Sequence, residues 1–253
     1  MPSINKDLEY ALNPAQWAED VLGVKLDPWQ VQALRSSAKQ SIWNIHRQAG
    51  KSSIASIKAL GKAIFKPGSL TLMVSKSERQ SGELYRKFLS FYDRLETPPG
   101  MPEDKALSCT LANGSRVVAL PGIEDTIRSF SAVSLIIEDE ASRVPDELYV
   151  AIRPMLAVSN GSLILMSTPN GSLGHFYKTW TDGGPSWSRI KVTADQCPRI
   201  TPEFLAEERL NMSENEYLQE YFGEFLDLEG AVFSSELFRS LESADLKPFK
   251  LED

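Results

Sequence analysis

The stretch Ile42-Trp43-Asn44-Ile45-His46-Arg47-Gln48-Ala49-Gly50-Lys51-Ser52-Ser53 decides the fold. A short apolar run gives way to a small-residue turn, and Ile54, Ala55, Ile57, Ala59 and Leu60 then recur at helical spacing. That order is strand, loop, helix, with Gly-Lys-Ser at the helix start. Successive N–H groups in such a loop, backed by the positive end of the helix dipole, cradle a polyphosphate. Lys51 is then expected to reach the β- and γ-phosphates of a nucleoside triphosphate, and the Ser52 hydroxyl to ligate Mg²⁺. The general P-loop pattern has a glycine five residues before Gly50, where this chain has Ile45. Gly-Lys-Ser also fits an ordinary solvated helix start, so a second motif has to carry the nucleotide reading.

Residues 132–137 supply it: a short apolar strand that runs into Glu138-Asp139-Glu140-Ala141. Apolar residues followed by acids at the tip suit a buried parallel strand that delivers carboxylates to the sheet's C-terminal edge. Asp139 is expected to hold Mg²⁺ through water, and Glu140 to orient or deprotonate the water that attacks the γ-phosphate. Glu138-Asp139 fills the same two slots in a shifted register; the longer reach of glutamate to water favours Asp139-Glu140. A further apolar strand over residues 161–166 ends in Ser167-Thr168-Pro169-Asn170-Gly171. Pro-Asn-Gly is ordinary turn chemistry, but hydroxyls at that tip are also placed to sense the γ-phosphate and move on hydrolysis.

The remaining elements fit around this frame. Residues 7–22 have apolar positions at helical spacing, interrupted at Asn13-Pro14. Asp27-Pro28 reads as a helix start. The next two residues, Trp29 and Gln30, either pack there or hold an adenine by stacking and by its hydrogen-bonding edge. Residues 69–74 read as a buried strand and 77–94 as an amphipathic helix, with Arg79, Arg86 and Lys87 among its polar positions, solvated or facing a phosphate backbone. Asn113-Gly114 between two β-rich runs predicts a hairpin with φ > 0 at both turn positions. A helix is expected over 145–157, and helical or strand segments at 173–180, 188–192 and 202–222.

Composition sets bounds on this reading. The 253 residues are 42% apolar and 24% charged, which suits a globular chain of one large domain or two small ones. No apolar run approaches the roughly 18 residues of a membrane span, and the N-terminus lacks a secretory hydrophobic region. Two isolated cysteines, Cys109 and Cys197, give neither a disulfide framework nor a zinc site, so a reducing compartment is expected. The net charge of −7 is unevenly spread: residues 1–200 carry 23 basic and 20 acidic groups, residues 201–253 carry 4 and 14. The acidity is a C-terminal property, and the sum does not exclude a nucleic-acid partner.

Together these residues resemble the ATPase domain of viral large terminases, the motors that package DNA into bacteriophage procapsids. The resemblance is carried by Arg47-Gln48-Ala49-Gly50-Lys51-Ser52, a variant P-loop, by residues 135–141, by Ser167-Thr168-Pro169, which looks like the family's coupling motif, and by Asp27-Pro28-Trp29-Gln30, like its adenine-binding segment. It implies an α/β P-loop NTPase fold of the ASCE type, with a central, mainly parallel β-sheet flanked by helices. It implies ATP and Mg²⁺ as ligands, with ATP contacts from Trp29, Gln30 and residues 47–53, including Ser53. Family members act as a ring, generally a pentamer, around double-stranded DNA, with a portal protein and a small terminase subunit as partners. The setting is the host bacterial cytoplasm and, transiently, the procapsid. An arginine ahead of the acidic strand enters the neighbour's site in trans; Arg128 sits where it is expected, with Arg143 and Arg153 as rivals.

The expected organisation is an ATPase domain over residues 1–226, with an adenine-side helical segment at 1–40, and an acidic linker or truncated junction at 227–253. The resemblance also implies a C-terminal RNase H-like nuclease, for which these residues give no basis; the expectation is an excised ATPase domain without cutting activity. A helicase-like ATPase and a nucleotide-gated clamp with little turnover are the alternatives. The first needs a second RecA-like half, and the second is disfavoured by an intact Lys51, Asp139 and Glu140.

Overall fold

The computed structural model describes residues 4–121, 127 and 129–226. Arg128 and the stretch 227–253 lie outside the described residues. Helices α1 (Ile4–Leu12) and α2 (Pro14–Asp20) part at Asn13, whose side-chain oxygen accepts the Gln16 N–H while Pro14 sits where a helix has no N–H to lose. Helix α3 (Pro28–Arg35) also has proline at its first position, and there the Gln30 side chain accepts the Asp27 N–H. Then come β1 (Gln40–Ile45), α4 (Lys51–Phe65), β2 (Leu70–Ser75) and α5 (Glu78–Tyr92). A short antiparallel meander follows: β3 (Glu103–Lys105), β4 (Ser108–Thr110) and β5 (Arg116–Pro121). The chain continues through β6 (Leu135–Asp139), α6 (Asp146–Ile152), β7 (Ser162–Ser167), α7 (Gly174–Asp182), β8 (Trp187–Val192), α8 (Pro202–Asn211) and α9 (Glu214–Phe222).

All eight strands form one sheet in the order β3-β4-β5-β2-β6-β7-β1-β8. From β5 to β8 every neighbouring pair is parallel. Both faces are covered. Trp43, Ile45, Met73, Ile137 and Met166 face a core that includes Ile57 and Leu60 of α4, whereas Ile42, Leu72, Ile136 and Leu165 face one that includes Leu148 of α6 and Phe176 of α7. Full burial of side chains such as Ile45 or Leu60 stabilises the fold by about 1.5–3 kcal/mol each. A mainly parallel sheet covered by helices on both faces is the α/β P-loop NTPase arrangement expected from the sequence. Among the described residues no helix is long and apolar enough to cross a membrane.

Three local expectations need correction, and one strand is unexpected. At the hairpin only Gly114 has positive φ (81°); the Leu111 N–H bonds the Ser115 carbonyl and the Gly114 N–H bonds the Leu111 carbonyl, both at 2.8 Å. The Asn113 amide donates to the Ala63 carbonyl near the end of α4 (2.8 Å), a tertiary contact that selects this turn over the two-residue form. The helix expected over 145–157 ends at Ile152 and tightens into a 3₁₀ turn, Arg153–Leu156, because Pro154 has no N–H to extend it. The run 202–222 is two helices, the second capped by Ser213, whose hydroxyl accepts the Glu216 N–H. Strand β3, a charged and exposed stretch, has no sequence pattern to announce it.

Candidate nucleotide site

The C-terminal ends of β1, β7 and β6 lie side by side at one edge of the sheet, where an open α/β sheet presents its ligand crevice. Register puts Trp43, Met166 and Asp139 in one row, so the loops that leave these strands emerge together. In the first loop Gln48 (φ 63°) and Gly50 (φ 92°) are both left-handed, and the main chain turns twice before α4 begins at Lys51. Ile45, at the position where a glycine is usual, is the fully buried last residue of β1. The first bend therefore falls to Gln48, at a cost of about 1–3 kcal/mol that the surrounding structure must hold.

Gln30 braces this loop. Its Nε2 donates to the Ala49 carbonyl (3.1 Å) and its Oε1 accepts the Asp27 N–H (3.0 Å). The residue is buried, so it is not an exposed helix position; one N–H and one lone pair remain for a further partner. Trp29 packs edge-on against Trp43, with ring centroids 6.4 Å apart. The Asp27 carboxylate holds Arg199 through two hydrogen bonds, at 2.7 and 3.1 Å, and so ties this segment to the connection between β8 and α8.

The pleat of β6 settles which acids face the loop. Neighbouring strand residues point to opposite faces. Asp139 shares the face of Ile137 and α4, while Glu138 shares the face of Ile136 and α7. Glu140, immediately after the strand, has φ 54° and lies on the Lys51 side: its Oε1 is 3.2 Å from Lys51 Nζ, and its N–H donates to Asp139 Oδ1 (3.0 Å). Burial pushes the Asp139 carboxyl up to about 6, helped by the charge of Glu140 and opposed by Lys51. The Asp139-Glu140 register is thus the one that meets the P-loop.

Glu138 has a different environment. It is fully buried; its Oε1 is 2.7 Å from His175 Nε2, and its Oε2 has no hydrogen-bond partner. His175 Nδ1 lies 3.1 Å from Asp146 Oδ1, and the imidazole stacks on Tyr149. Burial raises the Glu138 pKa against the pull of His175. Burial alone would lower that of His175, but Glu138 and Asp146 hold it above its ordinary value.

Ser167, Thr168 and Pro169 are buried at the end of β7. The hydroxyls of Ser167 and Ser142 share a hydrogen bond of 2.8 Å, and the Gly171 N–H donates to Gln219 Oε1 on α9 (3.0 Å). Arg47, expected at the phosphates, is exposed, and its Nε forms an ion pair with Glu220 Oε2 on α9 (2.7 Å). Asn44 Nδ2 donates to the Gly223 carbonyl just beyond α9 (2.7 Å). Arg153 is hydrogen-bonded to Tyr149 and to Gln40 at the opposite end of β1, away from the loop.

Arg143, weighed in the sequence only as a rival intersubunit arginine, lies inside this chain's own site. Its guanidinium reaches Glu140, Ser142, Thr168 and Glu220. Its spacing of three from Glu140 was a usable signal, since residues i and i+3 share one side of a 3₁₀ turn.

Among the described residues no group of three His, Cys, Asp or Glu stands ready to hold a metal ion. One carboxylate and the Ser52 hydroxyl are hard oxygen donors of the kind Mg²⁺ accepts when substrate phosphates complete its sphere. A buried lysine, a buried carboxylate beside it and a second carboxylate held by cations suit phosphoryl transfer to water.

Comparison with known proteins identifies the family. A family model described as "Terminase large subunit, T4likevirus-type, N-terminal" matches residues 44–240. The large terminase subunit of Thermus phage G20c is 25% identical over 260 residues, which cover 88% of this chain and 53% of that protein. That of Escherichia phage T5 is 27% identical over 201 residues, covering 76% and 45%. The chain spans about half the length of the curated relatives it matches. The large terminase ATPase domain of Thermus phage P74-26 has the same fold, with a TM-score of 0.76 at 23% identity over 85% of this chain and 100% of that one. The large terminase of another thermophilic bacteriophage, in complex with ADP, gives 0.67 at 14% identity, covering 80% and 54%. The chain therefore belongs to the T4likevirus-type family of terminase large subunits, whose N-terminal part it carries.

Proposed function

We propose that this chain is an ATP-hydrolysing motor domain that couples turnover to translocation of double-stranded DNA into a procapsid. The observation that carries the reading is the meeting of Lys51, Asp139 and Glu140 at the end of a mainly parallel sheet. Residues 47–53 cradle the phosphates, Lys51 leaves Glu140 for the β- and γ-phosphates, and Gln30 offers its free amide positions to the base. Ser52 and Asp139 are the groups that would hold Mg²⁺, which when bound neutralises phosphate charge. Glu140 takes the proton of the attacking water or orients it. Ser167, Thr168 and Pro169 relay the γ-phosphate state to α9 through Gln219. Arg128 completes a neighbour's site in a ring, with the portal protein and small terminase subunit as partners, in the host cytoplasm and on the procapsid. ADP and ATP-γ-S complexes of a family relative support the choice of nucleotide.

The raised Asp139 pKa gives a pH dependence with a definite sign. Between its ordinary value of 3.8 and about 6, the folded chain holds a proton that the unfolded chain has lost. Its contribution to stability is present below 3.8 and lost as pH rises through 6. Metal binding needs the ionised carboxylate, so Mg²⁺ affinity in the presence of ATP should fall roughly tenfold per pH unit below about 6 and level off above it. Calorimetric titration on both sides of that value checks this; a flat profile would remove Asp139 from the metal site.

Turnover against protein concentration tests assembly. Specific activity should rise with concentration, and Arg128→Ala should flatten the curve. A wild-type rate independent of concentration, with a silent Arg128→Ala, would place the completing arginine elsewhere.

A further inference from the structure

Arg143 has no part in the roles just assigned, yet its guanidinium touches four residues at the site. It closes the 3₁₀ turn Ala141–Arg143 that follows Glu140. One guanidinium nitrogen lies 3.3 Å from Glu140 Oε2, 3.3 Å from Ser142 Oγ and 3.4 Å from Thr168 Oγ1. The other lies 3.4 Å from Glu220 Oε1 on α9. Its side chain is only 23% exposed, which strengthens these charge-assisted contacts.

The two oxygens of Glu140 are divided between two cations: Lys51 Nζ is 3.2 Å from Oε1, and Arg143 Nη1 is 3.3 Å from Oε2. Phosphates that draw Lys51 away leave Arg143 as the cation on that carboxylate. A flexible glutamate just past a strand end, in a left-handed conformation, needs such a partner to keep one orientation.

We infer that Arg143 is a positioning residue acting in cis: it holds Glu140 for water activation and ties that orientation to Thr168 and to Glu220. The inference rests on the ATP-hydrolysing reading of the site. It differs from a trans arginine, which would serve the neighbour's nucleotide, and from a purely structural ion pair, which would affect stability and binding alike. Arginine is suited to the task because a planar fork engages several acceptors at once, whereas a lysine offers one point charge.

The experiment compares wild type, Arg143→Ala and Arg143→Lys for kcat, KM for ATP, equilibrium binding of a fluorescent ATP analogue and melting temperature. Arg143→Ala should lower kcat by roughly 10–10²-fold, the range of a misplaced catalytic group, with KM, analogue affinity and melting temperature unchanged. Arg143→Lys should recover part of kcat. Mixing Arg143→Ala with Glu140→Gln should give only the sum of their separate rates. Recovery on mixing would show Arg143 acting in trans, and a parallel loss of kcat, binding and melting temperature would make it structural; either result overturns the inference. An active wild type with an equally active Arg143→Ala sinks the inference alone, whereas a wild type that hydrolyses no ATP sinks the proposed function itself. Should Arg143→Ala not fold, Arg143→Lys decides: an undiminished kcat refutes the assignment.

Discussion

Glu140→Gln should retain ATP binding and lose turnover by roughly 10²–10⁴-fold, the contribution of a positioned general base. Glutamine keeps the length of the side chain and one oxygen for Lys51 or Arg143 to approach, so the loop and its cations stay in place. It lacks a basic carboxylate to receive or strongly orient a water proton. Removing a negative charge beside the phosphate cradle also lifts a repulsion, so affinity for ATP should hold or increase. Phosphate release under steady state and equilibrium binding of a fluorescent analogue, measured on the same preparation, separate the two effects. Turnover at the wild-type rate would refute the assignment of Glu140, and loss of binding together with turnover would point to a collapsed loop.

His175→Ala should cost about 3–5 kcal/mol of stability, because it strips the partner from a buried charge. Glu138 has no exposed surface, and its second oxygen already lacks a hydrogen bond. Without the imidazole, the first oxygen loses its 2.7 Å contact as well, and the carboxyl must be buried unpaired or forced to stay protonated. The stacking of His175 on Tyr149 is lost too. Adding Glu138→Gln to His175→Ala should recover part of the loss, since an amide carries no charge to desolvate. Urea unfolding of the three chains measures this; a His175→Ala midpoint equal to wild type would mean that Glu138 finds another partner.

The contrast between Glu138 and Asp139 also marks where sequence reading stops. Strand, loop and helix around Gly50-Lys51-Ser52 were legible because periodicity and small residues are local signals. So was the acidic end of β6. Side-chain length favours Asp139-Glu140, but the facing of Glu138 and Asp139 is not a local property, because both lie in one strand and the pleat alone separates them. The choice depends on which face carries α4, a property of the whole sheet. Gln30 and Arg47 show the same limit: their partners are Ala49 and Glu220, one 19 residues away and the other on a helix at the far end of the described chain. Arg143 was visible as an arginine three residues past Glu140, but its contacts with Thr168 and Glu220 exist only once β7 and α9 are in place.

Strand β7 is stitched along its length to β1 on one side and to β6 on the other. It cannot slide without tearing two ladders at once, so its end is an anvil rather than a lever. The freedom of the main chain begins at the bend beyond Thr168, where Gly171 (φ 77°) and Gly174 (φ 78°) flank a short run into α7. Gly171 is also the point at which Gln219 of α9 grips the main chain. Gly171 is thus a joint shared by the end of β7 and α9, and the sheet behind it is its fixed base.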